Sequence, residues 1–196
     1  VDPLGVVVVA PPWNFPFAIP MGGVLAALAA GNAVVLKPAP QTRATARLVA
    51  QCCWDAGVPT DVVQYLPCDD DEAGRALITH HEVDAVVFTG SRTTADMFHD
   101  WKPALRLLGE TSGKNAMVIT ASADLELAVR DLVRSAFGHG GQKCSAASLA
   151  IVERSVLDRT SFLDRLADAT RNLVVGPASA LTTDIGPLID APTGPL

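Results

Sequence analysis

Residues 6–9 are four consecutive valines, Val6-Val7-Val8-Val9, entered through Leu4-Gly5. A β-branched run with no polar alternate has no face to offer water, so it reads as a central strand covered on both sides. That requirement calls for a parallel sheet held between two layers of helices. The flanking segments supply the layers. Residues 18–30 form a small-residue helix pattern stopped by Gly31-Asn32, and residues 33–36 a second strand ended by Lys37-Pro38. Residues 42–56 read as a helix stopped by Gly57 and Pro59, residues 62–66 as a third strand and residues 71–79 as a helix. The fourth strand, residues 84–88, runs into Thr89-Gly90-Ser91 and a helical stretch to about Trp101. This alternation predicts a doubly wound, Rossmann-like parallel sheet.

Beyond Glu110 the pattern continues with a strand over residues 116–119. The clearest helix follows, with Leu125, Ala128, Val129, Leu132, Val133 and Ala136 on one face and Asp124 placed as N-cap. A strand over residues 149–152 and a helix over residues 156–173 come next. No element is read in the tail, residues 190–196, and the chain opens without an initiator Met, so a piece of a larger protein is expected.

Composition narrows the function. Apolar residues make up 49% and aromatics 5%, so the core is aliphatic. A net charge of −6 with no basic run argues against nucleic acid as a partner. The longest apolar stretch, residues 15–30, is broken by Pro16, Pro20, Gly22 and Gly23 and does not read as a membrane span. Cys52, Cys53, Cys68 and Cys144 form no Cys-x-x-Cys pair, which suits a reducing cytoplasm. His80, His81, His99 and His139 lack metal-ligand spacing, so no metal site is expected.

One cysteine stands apart. Cys144 lies in Gly140-Gly141-Gln142-Lys143-Cys144-Ser145, a glycine-rich loop between a helix and a strand. A free cysteine is most often an inert core filler, but this setting makes Cys144 a candidate nucleophile. Glu110, in Leu108-Gly109-Glu110-Thr111, and Asn14, in Pro12-Trp13-Asn14-Phe15-Pro16, add a carboxylate and an amide donor. Thiol, carboxylate and amide together form a complete set for acyl chemistry on a carbonyl.

Five ordered motifs carry a resemblance: Pro12-Trp13-Asn14-Phe15-Pro16, Lys37-Pro38-Ala39-Pro40, Phe88-Thr89-Gly90-Ser91, Glu110-Thr111-Ser112-Gly113-Lys114 and Gly141-Gln142-Lys143-Cys144-Ser145. In order and spacing the chain resembles the aldehyde dehydrogenase superfamily. Gly113-Lys114-Asn115-Ala116 and Gln142-Lys143-Cys144-Ser145-Ala146 look like its Δ1-pyrroline-5-carboxylate dehydrogenase branch, which includes the bifunctional proline-utilisation proteins. The resemblance implies a cofactor domain over residues 1–112, lacking its N-terminal part, and the first part of an α/β catalytic domain over residues 113–196. It implies Cys144 as nucleophile, Glu110 as general base and Asn14 as oxyanion donor. NAD is the implied cofactor, with Lys37 at its adenine ribose, Gly90 and Ser91 at its pyrophosphate, and Pro12 and Trp13 beside it.

Lys143 and Ser145 fall on the substrate side of the implied site. Ser145 reads equally as a holder of a substrate carboxylate or as a small residue filling a tight loop. The implied reaction takes L-glutamate semialdehyde to glutamate. A general or succinate-type semialdehyde dehydrogenase and an inactive assembly module are the alternatives. The parent protein is expected to be a homo-oligomer, with fusion to a proline dehydrogenase domain as one form. Two departures stand out: Pro40 replaces an acidic residue that would meet the ribose 2′-hydroxyl, and Ala95 replaces a glycine.

Overall fold

In the computed structural model, which describes residues 2–158 and 160–191, the valine run forms β1 (Val6–Ala10) at the centre of a five-stranded sheet. On one side lie β2 (Ala33–Leu36) and β3 (Val63–Tyr65), and on the other β4 (Val83–Gly90) and β5 (Leu107–Thr111). The order is β3-β2-β1-β4-β5 and every pairing is parallel. Val7 and Val9 pack with Val24 and Ala27 of α1 (Ala18–Ala29) and Val49 and Ala50 of α2 (Arg43–Asp55). Val8 and Ala10 pack on the opposite side with Ile78 of α3 (Glu72–Thr79) and Ala95 and Phe98 of α4 (Arg92–Trp101). The doubly wound parallel sheet expected from the valines is therefore present, with β1 buried on both faces. Helix α1 comes close enough to β1 that a Cβ at Gly23 would stand 2.8 Å from Val9 Cγ1.

β5 was not expected from the sequence. The stretch after Trp101 shows no apolar run, because β5 is an edge strand with one partner, and Leu108, Gly109, Glu110 and Thr111 are all exposed. Glu110 therefore stands on a strand, in register with Thr89 of β4.

The chain divides into two compact units, the first ending at Ser112 and the second beginning at Gly113. In the second, β6 (Asn115–Ile119) and β7 (Ala147–Val152) pair in parallel and are joined through α5 (Leu125–Phe137). Asp124 caps α5 as predicted, accepting from the N–H groups of Glu126 and Leu127. The helix expected over residues 156–173 is two helices, a single turn α6 (Arg154–Leu157) and α7 (Thr160–Arg171), with Arg159 outside the described residues. Residues 192–196 of the tail also lie outside them. Ile119, Val129, Leu132, Val156 and Phe162 form this unit's core. Across the sheet from it, Val118, Leu149 and Ile151 are exposed by half or more. No helix among the described residues is long and apolar enough to cross a membrane.

The start of β1 depends on one side chain. Asn32, 5% exposed, accepts from the N–H groups of Leu4 (2.6 Å) and Gly5 (3.0 Å) and donates to Ala27 O (2.9 Å). Replacing it by alanine takes the shared acceptor from the Leu4 and Gly5 N–H groups, while Ala27 O keeps the backbone N–H of residue 32 at 3.1 Å; each hydrogen bond lost is worth about 0.5–1.5 kcal/mol. We expect Asn32→Ala to lower the unfolding free energy by about 1–3 kcal/mol in a urea titration followed by far-UV circular dichroism. An unchanged midpoint would refute this account.

Candidate active site

The strand order locates a crevice. The chain builds outward from β1 to β2 and β3, then returns to the other side of β1 for β4 and β5, so the connections part company between β1 and β4. Ligands of open α/β sheets bind outside the carboxyl ends of the strands at such a point. A cleft lies there, lined by Ala10 at the end of β1, by Pro12 and Trp13 just after it, and by Phe88, Gly90 and Ser91 at the end of β4. The five residues that the motifs assign to the cofactor, Pro12, Trp13, Lys37, Gly90 and Ser91, all line it.

Ser91 is the N-cap of α4, and its hydroxyl accepts from the N–H of Thr94 at 3.0 Å. The remaining N–H groups of the first turn have no partner within the helix, which suits an anion. Lys37 is 4% exposed and forms an ion pair of 2.6 Å with Asp70. It is thus a buried, paired cation rather than an ordinary solvated lysine. The donor set fits a phosphate-bearing nucleotide: a capped helix start, a cation and carboxylate for hydroxyl groups, and the rings of Trp13 and Phe88.

Asn14 follows Trp13 and is half-buried, while Glu110 is exposed on β5 opposite Thr89, itself a cleft residue. Both therefore stand at the carboxyl end of the same sheet. The burial that would favour a carboxylate as a base is not present at Glu110 within this unit.

In the second unit, Cys144 sits at the tip of a tight turn. Ala146 N–H donates to Lys143 O at 3.1 Å, which places Cys144 and Ser145 at the two central positions, both exposed. Lys143 is half-buried, near Gly138. The chain reaches the turn through three successive left-handed residues, His139 (φ 60°), Gly140 (φ 65°) and Gly141 (φ 70°). Glycine takes this conformation without penalty, and His139 is a rare non-glycine in it. Gln142 Oε1 accepts from Ile189 N–H at 2.9 Å and so ties the loop to a later segment.

Two residues here escaped the motif reading. Asn115 Nδ2 donates to Cys144 O (2.5 Å) and Ala146 O (3.1 Å), clamping the thiol turn to the start of β6. Asn115 had served only as part of a resemblance, because the contact spans 29 residues and no local pattern reveals it. Asp70 was likewise invisible within the run Asp69-Asp70-Asp71. The other cysteines differ from Cys144 in their setting. Cys53 is buried, and burial, followed by the neighbouring Cys52, pushes its thiol pKa up. Cys68 is also pushed up by burial, more than the charge of Lys37 lowers it.

A profile of the aldehyde dehydrogenase family matches residues 1–193. The chain is 42% identical to the 1-pyrroline-5-carboxylate dehydrogenase of Geobacillus thermodenitrificans, over 96% of this chain and 38% of that protein. Among solved structures it is similar to Proline Utilization A from Corynebacterium freiburgense, with a TM-score of 0.92 and 50% identity, covering 98% of this chain and 20% of that one. It is also similar to a betaine aldehyde dehydrogenase from Staphylococcus aureus solved in complex with NAD+. That match has a TM-score of 0.91 and 32% identity, over 96% of this chain and 37% of that one. The chain thus spans less than half the length of the relatives it matches.

Exposure and pKa together order the thiols. A raised pKa means less thiolate at neutral pH, and the thiolate is the reacting form. With iodoacetamide at pH 7.5, peptide mass spectrometry should show Cys52 and Cys144 alkylated first and Cys53 and Cys68 last. The lag should shrink as pH rises toward the raised values. Asn115→Ala should change the rate at Cys144 severalfold and leave Cys52 unaltered; equal effects on both would refute the clamp.

Proposed function

The chain belongs to the aldehyde dehydrogenase family, and from that premise we propose that its protein oxidises L-glutamate semialdehyde, the open form of pyrroline-5-carboxylate, to glutamate, with NAD as the acceptor. The reading is carried by Cys144, exposed at the tip of a clamped turn inside a family match that spans both units. The substrate follows the names of the relatives, since identity to a pyrroline-5-carboxylate dehydrogenase reaches 42%. In this reading the first unit, to Ser112, is the cofactor-binding part and the second begins the catalytic domain.

The Cys144 thiolate adds to the aldehyde carbon. A C–S bond forms and the carbonyl π pair moves onto oxygen. The Asn14 side-chain N–H donates to that oxyanion, a contact of a kind whose removal costs about 3–4 kcal/mol. Lys37, Asp70, Ser91 and the first turn of α4 would hold NAD, which when bound would supply the hydride acceptor that oxidation to the thioester level requires. Glu110 then takes a proton from water as its oxygen adds to the thioester carbon. The C–S bond breaks, Cys144 leaves as thiolate, and the carboxylate product is released. In this reading Ser145, exposed beside Cys144, and Lys143 take the substrate's own carboxylate.

Three variants of the full-length protein separate these roles. Cys144→Ala should abolish NADH formation from glutamate semialdehyde. Glu110→Gln should keep a first-turnover burst of NADH and slow the steady state, because only thioester hydrolysis needs the base. Asn14→Ala should lower kcat by about 10²–10³-fold. Unchanged turnover in Cys144→Ala would sink the reading. A panel of plain aliphatic aldehydes should be oxidised with lower kcat/KM than the carboxylate-bearing substrate, and equal values would reject the substrate assignment.

A further inference from the structure

Lys37 and Asp70 are the charged side chains lining the first-unit cleft, and they are paired with each other at 2.6 Å. The pair is uneven. The Lys37 side chain is 5% exposed, whereas that of Asp70 is 39% exposed. A buried ammonium needs a counter-charge, and Asp70 provides it while keeping acceptor capacity on its open side. Its neighbours are engaged elsewhere: Asp69 is held by Arg43 at 2.6 Å, and Asp71 caps α3 by accepting from Ala73 N–H at 2.9 Å. Of the three successive aspartates, only Asp70 lines the cleft. Pro40, across the same cleft, brings no carboxylate.

Position gives the pair its meaning. In doubly wound dinucleotide sites, the side chain just after the second strand meets the adenosine ribose, and a carboxylate there accepts from the 2′-hydroxyl. Here that position, immediately after β2, holds Lys37, a cation of the kind that would welcome a 2′-phosphate. The carboxylate arrives instead from the loop between β3 and α3. Together the two groups offer an acceptor and a donor with no net charge, which matches a pair of ribose hydroxyls. A 2′-phosphate, carrying about −1.5 to −2 charge, would meet Asp70 directly and find the lysine already neutralised.

We propose that Asp70, by holding Lys37, is the specificity-determining residue that makes this cleft take NAD and reject its 2′-phosphorylated form, NADP. The inference rests on the reading of the cleft as the dinucleotide site. Without Asp70, Lys37 becomes the cleft's uncompensated cation, and the preference turns toward NADP.

Isothermal titration of the full-length protein with NAD and with NADP, without aldehyde, tests this directly. The wild-type protein should bind NAD at least tenfold more tightly. Asp70→Asn should reduce that ratio at least tenfold, with an absolute tightening for NADP, an effect that loosened folding could not produce. Asp70→Glu should keep the wild-type preference, and Asp70→Ser serves if the asparagine variant does not fold. Adding Lys37→Met to Asp70→Asn should remove the gained NADP affinity. NAD binding by wild type with an unchanged ratio in both Asp70→Asn and Asp70→Ser would overturn the inference and leave the cofactor reading standing. Binding of neither dinucleotide by wild type would overturn the cofactor reading, and the inference with it.

Discussion

The first unit is organised by a strand with nothing to show to water. Because β1 is buried on both faces, the sheet needs two helical layers, and the chain can supply them only by building to one side of β1 and then to the other. The reversal opens the crevice at the carboxyl ends of β1 and β4. The cleft is thus a by-product of covering the valines. Pro12, Trp13, Gly90 and Ser91 stand where the two strands stop.

Within that frame the polar groups are few and heavily constrained. Lys37 follows directly on the buried strand β2, so its ammonium has little water to meet and pairs with a carboxylate at 2.6 Å. The partner comes from the turn that enters α3, where three aspartates in a row face three different demands: an arginine, a lysine and a helix terminus. Charge in the cleft is therefore set by how a short loop distributes its side chains, while the sheet beneath stays aliphatic.

Legibility followed burial. β1 to β4 and α5 could be read because each has a regular apolar period; the Asp124 cap needed only local spacing. β5 could not be read, since an exposed edge strand carrying Gly109 and Glu110 has no apolar period. The two-part helix α6–α7 was read as one because the apolar pattern carries across the break. Cys144 was visible from its loop, but the clamp on its turn was not: Asn115 reaches it from a strand 29 residues away. The Lys37–Asp70 pair was hidden for the same reason, being formed only once β2 and the entry to α3 are folded side by side.

The left-handed approach to Cys144 has a consequence at the level of the gene. Every single-nucleotide change that replaces glycine in the codons of Gly140 and Gly141 installs a side chain where φ is 65° or 70°, or else stops translation. Each such L-residue carries a penalty of roughly 1–2 kcal/mol in that conformation, and at Gly141 the new Cβ also stands 3.0 Å from Ala136 O. His139 already holds one left-handed position without glycine's freedom, so the segment has little slack to absorb another. Gly140 and Gly141 are therefore a mutational bottleneck: almost any amino-acid replacement that drift can reach there strains the approach to the thiol.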